Sequence, residues 1–545
     1  MAEFNHNIAA HLPKMARKQP DALAVVVQHA EGGGAIYRYE ELTALELEEE
    51  SNRLAHGLLD MGVGSGTRAV LMVKPSLEFF ALTFALFKVG GIPVMVDPGM
   101  GIKNLKTCLA EAAPEAFIGI TKAHVARVLF GWGKDSISKK VTVGPKLFWG
   151  GERYTKIRST DKSPVMKHVS AETMAAILFT SGSTGIPKGV VYSHAIFNGQ
   201  VDSLRDNYGI IPGELDLGTF PLFALFGPAL GMASVIPDMD ASKPITCNPK
   251  YLVDAMQAYK TTNMFASPAL IEKVGRYGES ENVQLSSLKR VISAGAPADP
   301  DSLARFAQML GNDVSVMPSY GATEALPIAS ITHQVLIQDT KPLTEEGKGL
   351  CIGHALGGID VKIIEIDDGP IDEWSSAIEV PTGTIGEICV SGNIVAREYY
   401  KRAESTALAK IQLPGSEDFF HRMGDVGYLD EQGRIWFCGR KAHRVVTVDK
   451  TYFTIPCERV FNTLDGVKRT ALVDVNGKTV MCVEVDEEGQ FNPSLVYALT
   501  EIAESFEHTK GIDIFLHHPG FPMDVRHNAK IYREKLSVWA AGQLS

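Results

Sequence analysis

Between residues 68 and 97 the chain reads RAVLMV, SLEFFALTFALFKVG and IPVMVD: an apolar strand, an amphipathic helix and a second apolar strand. That order is a βαβ unit. Strands that are apolar along their whole length, rather than on alternate residues, belong in a sheet covered on both faces. The pattern recurs at MAAILFT (174–180), TTNMFAS (261–267) and LKRVISAG (288–295), so an α/β fold is expected for most of the chain. At 545 residues the chain is long enough for more than one domain. After Gly383 the texture changes to shorter strands, with DEQG (430–433) reading as a hairpin turn. A separate unit is expected from Lys441, with paired strands at RTALVDV and TVMCVEVD, a helix near Pro493–Glu507 and a strand at DIFLHH. The expected division is therefore 1–440 and 441–545.

Several function classes fall away on charge and cysteine usage. With 53 basic and 64 acidic side chains the net charge is −11, which argues against nucleic acid as a partner. Seven cysteines without a CxxC pair exclude a disulfide framework and an obvious zinc site, and suit a reducing compartment. The N-terminal stretch lacks a basic region followed by an apolar stretch and a small-residue cleavage site. The longest apolar run, Leu222 to Pro237, is too short to span a bilayer and is broken by Gly and Pro. A cytoplasmic protein without a membrane span is expected, with a peripheral membrane contact left open.

The strongest local signal is ILFTSGSTGIPKGVVYSH, 177–194. An apolar strand enters a loop where Gly182 and Gly185 let backbone N–H groups turn toward an anion. Thr180, Ser181, Ser183 and Thr184 add hydroxyls, and Lys188 adds a positive charge. GxxxxGK[ST] does not fit this string, so it is not a Walker A loop. Such a composition alone favours a flexible surface loop; the full string decides. TSGSTGIPKG resembles the hallmark loop of the adenylate-forming superfamily of acyl-CoA synthetases, luciferases and peptide-synthetase adenylation domains.

Other segments carry the same resemblance. SYGATEALPI (319–328) looks like the family's YGxTE segment, which implies Tyr320 and Gly321 against adenine, Thr323 at the α-phosphate and Glu324 on Mg²⁺. SAGAP resembles the adenine-pocket segment and brings in Gly295, Ala296 and Pro297. HRMGDVGYLDEQGRIWFCGRKAHR (421–444) matches the family's GD…GR stretch, implying Asp425 at the ribose hydroxyls and Arg440 at ribose and phosphate. Near the C-terminus, AKIYR aligns Lys530 with the family's catalytic lysine. The resemblance thus implies ATP and Mg²⁺ as cofactors, catalytic roles for Lys530, Thr184 and Glu324, and a large nucleotide-binding domain closed by a small α+β lid. The chemistry implied is attack of a carboxylate on ATP to give an acyl-adenylate and pyrophosphate, then displacement of AMP.

Departures from the pattern narrow the subfamily. The hinge acid or lysine is Ala442, followed by His443 and Arg444, and the glycine before Lys530 is Ala529. HRVVT…FTIPCE with DVRHNAKI resembles the β-lactone synthetases of long-chain olefin biosynthesis. That resemblance implies a long-chain 2-alkyl-3-hydroxy acid whose own β-hydroxyl displaces AMP, and it leaves the other enzymes of the pathway open as partners. Phe223, Phe226, Gly231, Phe265 and Ala266 are candidate walls of the acyl pocket, among residues that are more often plain core. His443 and His527 are candidates for the base, among histidines that are more often structural or solvated. A fatty acyl-CoA ligase with a divergent lid is the nearest competing reading; a non-catalytic nucleotide sensor or scaffold is one of another class.

Overall fold

The computed structural model describes residues 5–180, 186–374, 379–487, 489–523 and 530–544. Among these, most strands gather into two large sheets and a small C-terminal one. In the first sheet, Arg68–Met72 pairs in parallel with Ile92–Met95 on one side and with Ala116–Ile120 on the other. The winding direction therefore reverses after Ile92–Met95, and right-handed crossovers put the two connecting helices on opposite faces. Ala69 and Leu71 pack with the helix Leu77–Lys88, whereas Val70 packs with Leu105 and Leu109 of the helix Ile102–Ala112. Successive side chains of a strand point to opposite faces, so a strand clothed on both sides must be apolar throughout. The α/β expectation holds.

The helix Leu77–Lys88 corrects one detail of the sequence reading. Phe79 to Lys88 are all buried, so the helix has no polar outer face and is not amphipathic. It is buried because the helix Ala44–Asp60 lies over it. Even Lys88 is enclosed, its Nζ donating to Glu48 Oε2 at 2.8 Å, Ser51 Oγ at 2.7 Å and Asn52 Oδ1 at 2.6 Å. A buried ammonium needs such a set of acceptors, and the pair is costly to break from either end.

Parallel strands also form the centre of the second sheet, in the order Ala233–Ile236, Leu215–Gly218, Asn263–Ala266, Arg290–Ala294 and Ser315–Ala322. Ser315–Ala322 then turns back into Ala325–Ser330, and the sheet continues antiparallel through Leu350–Ala355, Ile435–Arg440 and Phe419–Leu429. The expected DEQG turn joins the last two, in a register that sets Asp425 directly opposite Arg440.

Beyond residue 444 the chain builds its own core. Val467–Val475 pairs with Lys478–Val485, which pairs with Ile514–His517, and helices Thr454–Phe461, Pro493–Ser505 and Arg533–Gln543 complete the unit. Among the described residues, no hydrophobic cluster mixes side chains from before and after residue 441. All seven cysteines are buried and unbonded. No helix among the described residues is long and apolar enough to cross a membrane.

Candidate active site

A cavity of about 1740 Å³ lies where the carboxyl ends of both sheets' parallel strands converge. The first sheet supplies the residues that follow Arg68–Met72, Ile92–Met95 and Met174–Phe179; the second supplies those that follow Leu215–Gly218, Arg290–Ala294 and Ser315–Ala322. Open α/β sheets place their ligands here, outside the carboxyl ends and beside a reversal of strand order. The volume exceeds the 300–1000 Å³ or so of ordinary small-molecule sites, so there is room for more than one ligand group.

One end is polar. Asp425 accepts a 2.5 Å hydrogen bond from Tyr320 Oη at Oδ2, and Arg440 Nη1 stands 3.1 Å from its Oδ1. The cross-strand register makes the Asp425–Arg440 pair, since opposite residues of an antiparallel pair are neighbours on one face, and Tyr320 reaches it from the strand Ser315–Ala322. Burial pushes the Asp425 carboxyl above the usual carboxylate range, with Arg440, Tyr320 and Lys530 opposing that shift. Arg440 is held still more firmly protonated by Asp425. Among the described residues no donor is aligned on Asp425 Oδ1, so a buried acceptor is left for donors such as a vicinal diol. Arg440 lies on the cavity wall; Tyr320 and Asp425 meet the cavity through it.

Thr180 and Lys188 close the base of the glycine-rich loop: Thr180 N donates to Lys188 O at 3.0 Å, and Lys188 N to Thr180 Oγ1 at 3.1 Å. Both line the cavity. Ser181, Gly182, Ser183, Thr184 and Gly185 lie outside the described residues. Lys188 Nζ sits 4.8 Å from the centre of the Tyr399 ring, and Tyr399 Oη donates to Glu324 Oε1 at 2.7 Å. Glu324 occupies the tight turn between Ser315–Ala322 and Ala325–Ser330. That turn is fixed from behind, Tyr192 Oη donating to Thr323 O at 2.6 Å and Ala396 N to Glu324 O at 2.8 Å. Glycine is required at two wall positions. Gly295 has φ +102°, and a Cβ on Gly321 would meet Leu326 Cδ1 at 2.7 Å.

The other end is apolar. Phe223 stacks on Phe265 with centroids 4.3 Å apart, and Phe226 adjoins Phe223; all three line the cavity. Gly231 and Ala266 do not. Ala266 alternates with Phe265 along one strand, so its side chain enters the core on the opposite face. Gly231 ends a helical turn at φ +70°, against Pro212. Ala296 and Pro297 likewise stand off the wall that Gly295 reaches.

Lys530 lines the cavity, and its charge is near enough to lower the Asp425 carboxyl. Three residues on, Arg533 makes a two-pronged ion pair with Glu458, at 2.5 and 2.9 Å, and donates to Leu472 O at 3.0 Å. The arginine of the AKxxR string is thus an anchor for the segment that carries the lysine. His443 is not on the cavity wall; its Nε2 lies 3.3 Å from Glu534 Oε1. His527 lies outside the described residues. Around Ala442, Lys441 Nζ is 3.1 Å from the buried Glu387 and Arg444 Nη2 is 2.6 Å from Asp368.

The sequence reading missed Tyr399, Tyr192 and Lys410. Lys410 Nζ donates to Ala396 O and lies 3.1 Å from His421 Nδ1, and burial pushes its ammonium down to about 7. No spacing pattern flags these residues; only the fold brings them beneath Glu324.

The sequence profile of the family described as AMP-binding enzyme matches residues 12–400. The chain is 46% identical over 549 residues to the olefin beta-lactone synthetase of Stenotrophomonas maltophilia (strain K279a), covering 99% of this chain and 98% of that one. It is 45% identical over 549 residues to the olefin beta-lactone synthetase of Xanthomonas campestris pv. campestris, covering 98% of each. Among solved structures, the amide bond synthetase McbA from Marinactinospora thermotolerans superposes with TM-score 0.79 at 21% identity, over 98% of this chain and 99% of that one. ATP-bound MatB from Rhodopseudomonas palustris superposes with TM-score 0.78 at 19% identity, over 99% and 100%.

Proposed function

We propose a function for this chain from one premise: it belongs to the family of AMP-binding enzymes, and within it to the olefin β-lactone synthetases. The protein is an adenylate-forming ligase. It adenylates a long-chain 2-alkyl-3-hydroxy fatty acid and closes it to a β-lactone, releasing pyrophosphate and AMP, in the formation of long-chain olefins. The observation that carries this reading is the continuity of one cavity from the charged end at Lys188, Arg440 and Lys530 to the aromatic end at Phe223 and Phe265. An acid head group and its chain would lie along it.

In this reading Asp425 takes the ribose hydroxyls on Oδ1, the oxygen that Arg440 faces, Gly295 and Gly321 let backbone approach the base, and Thr180, Lys188 and the loop between them hold phosphate. Tyr399 aims Glu324. Lys530 and Arg440 stand where negative charge gathers as the carboxylate oxygen attacks the α-phosphorus and pyrophosphate leaves. Fixed donors at such a point stabilise the transition state more than the ground state. The β-hydroxyl oxygen then bonds to the acyl carbon and gives up its proton to solvent, while the acyl–phosphate bond breaks and AMP departs with its electron pair. Holding hydroxyl and carbonyl in attack geometry replaces a second substrate by effective molarity. Residues 441–545 act as the lid that delivers Lys530.

Glu324, at the same end of the cavity as Lys188, is the acid this reading assigns to Mg²⁺; no group of three metal-binding side chains converges among the described residues. Mg²⁺ ordinarily takes one or two carboxylates and completes its shell with phosphate and water, so a lone glutamate fits. Bound there, the ion would screen phosphate charge. Glu324→Gln should therefore raise the Mg²⁺ concentration needed for half-maximal turnover; an unchanged metal dependence would make Glu324 a structural residue.

Mass spectrometry of products from ATP and a synthetic 2-alkyl-3-hydroxy acid, without coenzyme A, tests the reading. The expected product is lighter than the acid by one water. Thioester formed only on adding coenzyme A, with no lactone in its absence, would assign the chain to the acyl-CoA ligases.

A further inference from the structure

We propose that the helix Thr121–Phe130 and the adjoining segment 145–149 form a docking surface for an anionic lipid bilayer. The helix divides its sides three ways. His124 and Arg127 turn inward, His124 Nε2 meeting Val141 O at 2.9 Å and Arg127 lying over the Phe117 ring. Ala123 and Ala126 line the cavity. Val128 and Leu129 face out, 41% and 73% exposed.

Segment 145–149 adds Leu147 and Phe148, 52% and 79% exposed, and it is held rather than loose. Thr121 Oγ1 donates to Pro145 O at 2.6 Å. Trp149 stacks on His124 with centroids 5.1 Å apart, and its Nε1 donates to Thr142 Oγ1 at 3.0 Å. Anchored on both flanks, the segment presents an aromatic and a leucine to solvent, against the helix that carries the exposed Val128 and Leu129. Exposed apolar groups gathered in this way mark an interaction surface.

Charge selects the occupant. Residues 121–156 hold eight basic and two acidic side chains, all but Arg127 of the basic ones at least partly exposed, in a protein whose net charge is −11. Lys134 is exposed and Lys146 half-buried, both on the connections that flank the apolar groups. A second copy meeting this face through a twofold axis would set basic patch on basic patch. Protruding Phe and Leu among lysines, on a protein otherwise acidic, is the arrangement that inserts at an anionic interface and is held there by lipid head groups. The same helix lines the cavity, so docking would bring the apolar site to the phase in which long-chain acids dissolve; that last point rests on the function proposed above, the docking itself does not.

The test is co-sedimentation of the full chain with phosphatidylcholine vesicles with and without phosphatidylglycerol, at low and high salt. Binding is expected only with phosphatidylglycerol, and weakened by salt. L129S/F148S and K134E/K146E should each weaken it by about tenfold or more. None of these four residues lines the cavity, so both variants should keep wild-type acid-dependent pyrophosphate release with detergent-dispersed substrate. Absence of sedimentation with phosphatidylglycerol vesicles, or equal binding by the variants, would overturn the proposal. So would a dimer in solution that L129S/F148S dissociates, which would assign the face to a second copy.

Discussion

Lys530→Ala is expected to leave ATP binding intact while cutting acid-dependent pyrophosphate release by about two to three orders of magnitude, the usual cost of removing a donor aimed at transition-state charge. The separation follows from the geometry. The buried acceptor of Asp425, the Arg440 guanidinium and the Thr180–Lys188 clamp are all supplied by residues before 441, so nucleotide retains its holds when the lysine is lost. Arg533 still anchors the segment through Glu458, so the variant should fold. Equilibrium binding of a labelled ATP analogue, set beside pyrophosphate release, reads both halves. Release at the wild-type rate would show that Lys530 plays no part in the chemistry.

A substrate lacking the 3-hydroxyl should release one equivalent of pyrophosphate and then stall. Its carboxylate remains available to attack ATP, but nothing closes the ring, so acyl-adenylate should persist on the enzyme, where an apolar wall keeps water from it. Quenching in acid and mass spectrometry would find that adduct in an amount approaching the enzyme present, whereas the intact hydroxy acid gives free AMP and turns over repeatedly. Rapid turnover of the deoxy acid with coenzyme A would overturn the lactone reading while leaving adenylation in place.

What could be read from the sequence was whatever is local. Apolar strands with a helix between them specify a βαβ unit because each element must be clothed by its neighbours, and the phosphate loop is one unbroken string. Even the Asp425–Arg440 pairing is nearly local, since the DEQG turn fixes the register that faces them. What escaped was contributed from a distance. Tyr399 and Lys410 are single residues whose closeness to Glu324 is created by folding. The strand Leu23–Glu31 pairs with Ala233–Ile236 across some two hundred residues of sequence. Apolar strings also do not say which way they face: Phe265 reaches the cavity and Ala266 the core behind it, one residue apart. For the same reason the helix Leu77–Lys88 read as amphipathic although it is enclosed all round.

The bonds on either side of Ala442 bear on how many shapes the enzyme needs. Lys441 is tied to Glu387, a residue that also holds Arg422, and Arg444 is tied to Asp368. His443 reaches forward to Glu534, on the helix that starts three residues after Lys530. The segment around the hinge position is thus tied down on both sides in this arrangement, in part by pairs that face water. An enzyme that must first activate an acid and then admit an outside thiol has reason to keep a swivel, because two partners visit one carbonyl in turn. A reaction whose second nucleophile arrives attached to the first has no such visitor to let in, and one posture can serve both bond-making steps.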